Sequence, residues 1–148
     1  MSCPKDSCTS FPLLYSVYHV DQKINQEHAA MELLKLVSGI SEADVLVFDA
    51  TPSPQKIYDE LEIHHHSPQI VIVLSGEVLV PVAKEFDSAC VEFVPLSAGE
   101  AIVINTNVWH YGAVAPEKAS KFVVAFRKGT AQKDCEKRKL PVPVQVRK

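Results

Sequence analysis

Glu62, His64, His65, His66 and Gln69 stand close together in the chain, and a further histidine closes Asn107-Val108-Trp109-His110. Imidazole titrates near neutral pH, exchanges protons and binds metals through either ring nitrogen. Imidazole with carboxylate suits Zn, Mn, Fe or Ni. On an extended chain, side chains two apart share a face. Glu62, His64 and His66 therefore lie on one face and His65 points away, while Ser67-Pro68 can reset the count before Gln69. A carboxylate and two imidazoles facing a half-apolar interior are costly unless paired or liganded. The plainer alternative is a polar loop tip. The apolar run Ile57–Ile63 leads into the cluster and Ile70–Leu74 follows it, which favours an inward, functional group. His110 gains a role only by meeting that group in space. Trp109 and Tyr111 either wall a pocket or simply pack, and Asn105 and Asn107 read as turn formers.

Several short elements must carry these residues. Residues 1–10 read as a flexible leader and 13–20 as a first strand. Between Gln26 and Ser38, Ala30, Leu33, Leu34 and Val37 recur at helical spacing, with Asn25 as cap and Gly39 after the end. Beyond Ile40 the apolar runs are short: Val45–Phe48, Ile57–Ile63, Ile70–Leu74, Val78–Val82, Val91–Val94, Ala101–Ile104 and Phe122–Phe126. Turn residues separate them, which argues an all-β sandwich or barrel with one N-terminal helix. Ser75-Gly76-Glu77 reads as a tight hairpin turn. The closing run from Leu140 to Val146 is extended, either an edge strand or an arm on a partner subunit.

The 148 residues fit one domain, 11–148, after the leader. A net charge of −3 argues against nucleic acid as a partner. The basic residues from Lys133 onward are interleaved with acids and read as a solvated tail. No apolar run suits a membrane span, and no signal peptide is apparent, so a cytoplasmic location is expected. Cys3, Cys8, Cys90 and Cys135 are then expected to be free thiols.

Two segments resemble the cupin superfamily, whose members are double-sheet jelly rolls. Gly99 and His110 keep the spacing of the second cupin motif, with Asn105 and Asn107 at its Pro and Gly positions. Gln69 and Gly76 keep the end of the first motif, with Gln in place of an acid. Two ligand sets follow from the resemblance: Glu62, His64, Gln69 and His110, or His64, His66, Gln69 and His110. The chain is more closely similar to the ureidoglycolate lyase family over roughly residues 45–135. The likeness rests on Leu61-Glu62-Ile63-His64, Gln69, Gly76-Glu77-Val78 and Asn107-Val108-Trp109-His110. It departs at His65, Asn105, Tyr111 and Gly112.

This resemblance implies elimination of urea from ureidoglycolate to give glyoxylate, a step of allantoin and purine breakdown. It implies His64 and His110 as acid and base, with Gln69 orienting substrate. Glu62, Trp109, Tyr111 and Asn105 would contact the small-molecule substrate. It also implies a divalent metal of the Zn, Mn, Fe or Ni kind, and a homodimer. Two rival functions stay open: a metal-dependent cupin isomerase or dioxygenase, and a non-catalytic module that binds a small carboxylate or sugar.

Overall fold

A computed structural model describes residues 13–148. The leader and the Cys3 and Cys8 expectations lie outside those residues. The strands in chain order are β1 (Tyr15–His19), β2 (Ala43–Ala50), β3 (Ile57–Ile63), β4 (Gln69–Ser75), β5 (Glu77–Ala83), β6 (Val91–Ser97), β7 (Glu100–Ile104), β8 (Trp109–His110), β9 (Ser120–Arg127) and β10 (Glu136–Gln145). Helix α1 (Gln26–Ser38) follows β1, and a single turn, α2 (Thr130–Lys133), precedes β10.

Among the described residues ten strands form two five-stranded sheets, ordered β1-β7-β4-β9-β2 and β10-β3-β8-β5-β6, and every pair of named strands is antiparallel. The two facing sheets give the double-sheet jelly roll that the resemblance implies. Strand periodicity explains the long apolar runs of the first sheet. Val71 and Val73, Ile102 and Ile104, and Phe122, Val124 and Phe126 point between the sheets. Their alternates Ile70, Ile72, Ala101, Val103, Val123 and Ala125 point outward and are covered by Ala30 and Leu34 of α1. Both faces of these strands are buried, so polar alternation is lost. The Asn25 side chain accepts the His28 amide at the helix start, and Gly39 ends the helix in the left-handed conformation.

The hairpin reading of Ser75-Gly76-Glu77 does not hold. β4 pairs with β7 and β9, whereas β5 pairs with β6 and β8, so the chain changes sheets at Gly76. The basic residues of the tail are exposed, as expected of a solvated segment, but they sit on an ordered strand. Residues 136–145 form β10, the edge strand against β3, with Glu136 opposite Ile63. Cys135 is a free thiol, but Cys90 is disulfide-bonded, contrary to the expectation of reduced cysteines throughout.

Candidate active site

The register of the second sheet brings the two histidine segments together. Glu62 of β3 lies directly opposite His110 of β8, and His110 also faces Val82 of β5. His64 follows β3 by one residue. Gln69 opens β4 and arrives from the other sheet. His64 and His110 are almost wholly buried, their ring centroids 4.8 Å apart.

The ring orientations are set by backbone carbonyls. His64 Nδ1 lies 2.8 Å from Asp134 O, and His110 Nδ1 lies 2.9 Å from Val108 O. A carbonyl only accepts, so in the neutral ring Nδ1 carries the proton and Nε2 keeps a lone pair. Both Nε2 atoms face one atom, Gln69 Oε1, at 3.1 and 3.2 Å. Glu62 Oε1 lies 3.8 Å from His110 Nε2. Four acceptor groups thus converge with no proton between the rings and the amide oxygen. Two arrangements relieve this: a cation among them, or the Gln69 amide turned end for end so that its NH₂ donates to both rings. The first makes the site a receptor for positive charge, whereas the second satisfies both rings without an ion.

The two Nε2–Gln69 Oε1 distances match the spacing around an ion, and the Glu62 carboxylate stands farther out. Metal–nitrogen bonds of about 2.1 Å place neighbouring donor atoms roughly 3.0–3.4 Å apart. One donor atom each from Glu62, His64 and His110 lies within 4.8 Å of the others. Burial is the main cause driving His110 down to about 4, so its ring is neutral at pH 7 and available as a ligand.

A cavity of about 400 Å³ opens onto Glu62 and Gln69. Phe48, Phe122 and Phe126 wall it, and Lys56 is the one lysine or arginine among its lining residues. The carboxylate beside the imidazoles thus faces a cavity of mixed lining, in which Asp49, Thr51, Ser53 and Lys56 accompany the apolar side chains.

The remaining sequence expectations fare differently. His66 does not join the group: β3 ends at Ile63, and the turn beyond it leaves His66 exposed. Its place near the imidazoles is taken by Glu62. His65 points outward, as strand parity required, between Asn107 Oδ1 at 2.6 Å and Glu136 Oε1 at 3.3 Å. These two acceptors, Asn107 foremost, raise its affinity for a proton. Trp109, Tyr111 and Asn105 are not among the residues that line the cavity, and neither are His64 and His110, which lie behind Glu62 and Gln69. Trp109 faces away from His110, 4.7 Å from Phe86 and beneath the Arg138 guanidinium. Tyr111 Oη donates to Glu60 at 2.6 Å, and Asn105 donates to Leu13 O.

Sequence reasoning missed Asp134 and Cys135. Cys135 Sγ donates to Glu62 Oε2 at 2.9 Å. Burial and this bond push the thiol up to about 12, so it stays protonated. The Asp134 carboxylate accepts the amides of His65 and His66. Burial opposes its ionisation, but these amides hold its pKa below the usual range. No local motif marks either residue, because the contacts join segments some 70 positions apart.

Residues 16–147 match the family model described as ureidoglycolate lyase. No curated protein matches the chain. Among solved structures, a 3,4-ketoisomerase from Helicobacter canadensis is similar with a TM-score of 0.58 at 13% identity, over 82% of this chain and 89% of that one. A 3′-monoepimerase from Streptomyces bikiniensis in complex with dTDP-quinovose gives 0.56 at 12% identity, over 83% and 68%. A 3,4-ketoisomerase mutant from Thermoanaerobacterium thermosaccharolyticum in complex with TDP-4-keto-6-deoxyglucose gives 0.55 at 12%, over 85% and 88%. These likenesses show the fold alone.

Proposed function

We propose that this chain, which belongs to the ureidoglycolate lyase family, eliminates urea from ureidoglycolate to leave glyoxylate. The observation that carries this reading is the convergence of Glu62, His64, Gln69 and His110 beside a cavity walled by phenylalanines. The cavity volume lies in the lower part of the range of small-molecule sites. Lys56 offers a positive charge to the substrate carboxylate, and Phe122 and Phe126 give the reacting centre an apolar wall.

The donor set fits a divalent metal of the Zn, Mn, Fe or Ni kind, held by His64, Gln69 and His110 with Glu62 completing the charge. Such an ion would supply Lewis acidity toward the substrate's hydroxyl and carboxylate oxygens. The chain's own residues carry the proton. Glu62, which reaches the cavity, takes the proton of the substrate hydroxyl. The O–H electron pair closes the new carbonyl and the C–N bond breaks. The ureido nitrogen, which receives the bonding pair, takes the proton back from Glu62. Urea and glyoxylate leave with no net gain or loss of water. In the metal-free protein the Nε2 lone pair of His110 lies 3.8 Å from Glu62 Oε1 as an alternative base.

The reading includes a homodimer, supported by the exposed edge strand β10. The test is glyoxylate release from racemic ureidoglycolate, with and without a chelator. Release is expected from the unsubstituted protein, with a fall of about 10²-fold or more in His64→Ala and His110→Ala. Full activity in both variants would overturn the assignment of the site.

A further inference from the structure

Two of the converging groups are held from a single corner of the chain. Asp134 ends α2 and Cys135 precedes β10. The Asp134 carbonyl lies 2.8 Å from His64 Nδ1, on the far side of the ring from the converging nitrogens. Its carboxylate accepts the next two amides, His65 N at 2.9 Å and His66 N at 2.8 Å. This grip on three successive residues fixes where the chain leaves β3 and how the His64 ring is aimed. One residue on, the Cys135 thiol meets Glu62 Oε2 at 2.9 Å, which leaves Oε1 as the oxygen nearer His110 Nε2. Glu136 then starts β10 opposite Ile63, so the corner is anchored to the strand that it holds.

We infer that the corner Asp134–Cys135 is the positioning element of the cation site, aiming His64 through the Asp134 carbonyl and Glu62 through the Cys135 thiol. The inference rests on the proposed metal centre. Groups that hold ligands in place typically change metal affinity by about 10–100-fold when removed. The thiol is a weak donor, and its value lies in direction. Without it the Glu62 carboxylate is free to rotate, so its charge is no longer held against His110.

The experiment is titration of chelator-stripped protein with Co²⁺, read from the visible absorption of the bound ion. Cys135→Ala is expected to weaken Co²⁺ binding about 10–100-fold and to change the absorption bands. Cys135→Ser, which keeps a donor, is expected to stay within about threefold of the unsubstituted protein. In a Glu62→Gln background, Cys135→Ala should add less than about twofold, because the thiol acts through Glu62. A merely structural role would lower the melting temperature without this dependence on Glu62. Cys135→Val keeps the bulk, drops the donor, and takes the place of Cys135→Ala if the latter does not fold. Affinity unchanged in the donor-free variant, or a full loss repeated in the Glu62→Gln background, would overturn the role of Cys135 and leave the metal centre standing. No Co²⁺ binding by the unsubstituted protein would overturn both.

Discussion

His110 is the most deeply buried histidine among the described residues. It is wholly buried, its Nδ1 is committed to Val108, and its Nε2 faces another imidazole's partner, Gln69. Burial holds its folded pKa at about 4 against an ordinary 6.5. The sign of the pH effect follows. Above pH 6.5 the ring is neutral in both folded and unfolded chains and contributes nothing. Between 6.5 and 4 the unfolded chain binds a proton that the folded chain refuses, so stability falls as pH falls. The accumulated loss by pH 4 is on the order of 3 kcal/mol. Urea unfolding of chelator-stripped protein should show a lower midpoint at pH 5 than at pH 7. His110→Gln, which cannot titrate, should lose that part of the slope. An equal slope in both proteins would mean that the acid sensitivity comes from other groups.

At the scale of the element, the decisive positions are those where the chain changes direction. Gly76 carries the switch from the first sheet to the second at φ +79°. A Cβ there would stand 2.3 Å from Ser120 Oγ and 3.0 Å from Ala119 O. Ser120 Oγ is itself bonded to both the amide and the carbonyl of Glu77 and cannot easily give way. Gly39, at φ +77°, has nothing within 4 Å of the same position. Gly39→Ala should therefore cost only the left-handed strain, about 1–2 kcal/mol. Gly76→Ala should cost that and a further ~1–3 kcal/mol of overpacking. Chemical unfolding of the two variants gives the comparison, and equal losses would refute the crowding at Gly76. The same elements show what could be read beforehand. Strand positions were legible because runs such as Ile57–Ile63 carry β-formers between turn residues, and α1 because Asn25, its apolar stripe and Gly39 agree. Sheet membership was not legible. A glycine turn between two strands looks the same whether the strands pair or part, and only long-range register decides. Local parity placed Glu62, His64 and His65 on their proper faces. Applied to Trp109 and His110, it would also have turned the tryptophan away from the cavity. It failed at His66 because β3 ends at Ile63, and nothing local connects Asp134 or Cys135 to either histidine.

For the whole molecule, the point of interest is that the site spans the barrel. Gln69 belongs to the sheet ordered β1-β7-β4-β9-β2, whereas Glu62 and His110 belong to the facing sheet and His64 follows β3 of that sheet. An ion held by all of them would join two layers that otherwise meet through apolar packing. Binding to the folded state alone stabilises it by about 2.7 kcal/mol at a hundredfold excess over the dissociation constant. For a domain of this size that corresponds to a rise of roughly 5–10 °C in melting temperature. Chelator-stripped protein melted with rising Zn²⁺ should show this rise. Gln69→Leu, which keeps both imidazoles but removes the donor from the first sheet, should show a clearly smaller one. His65 and His66 are exposed, and Cys135 is a free thiol, so zinc has other places to bind. The comparison with His110→Ala separates these sites from the barrel. If that variant gains as much stability from Zn²⁺ as the unsubstituted protein, the ion binds at the surface and does not bridge the sheets. If the gain disappears with His110 and shrinks with Gln69, the four converging side chains, of which Glu62 and Gln69 face the cavity, also tie its two walls together.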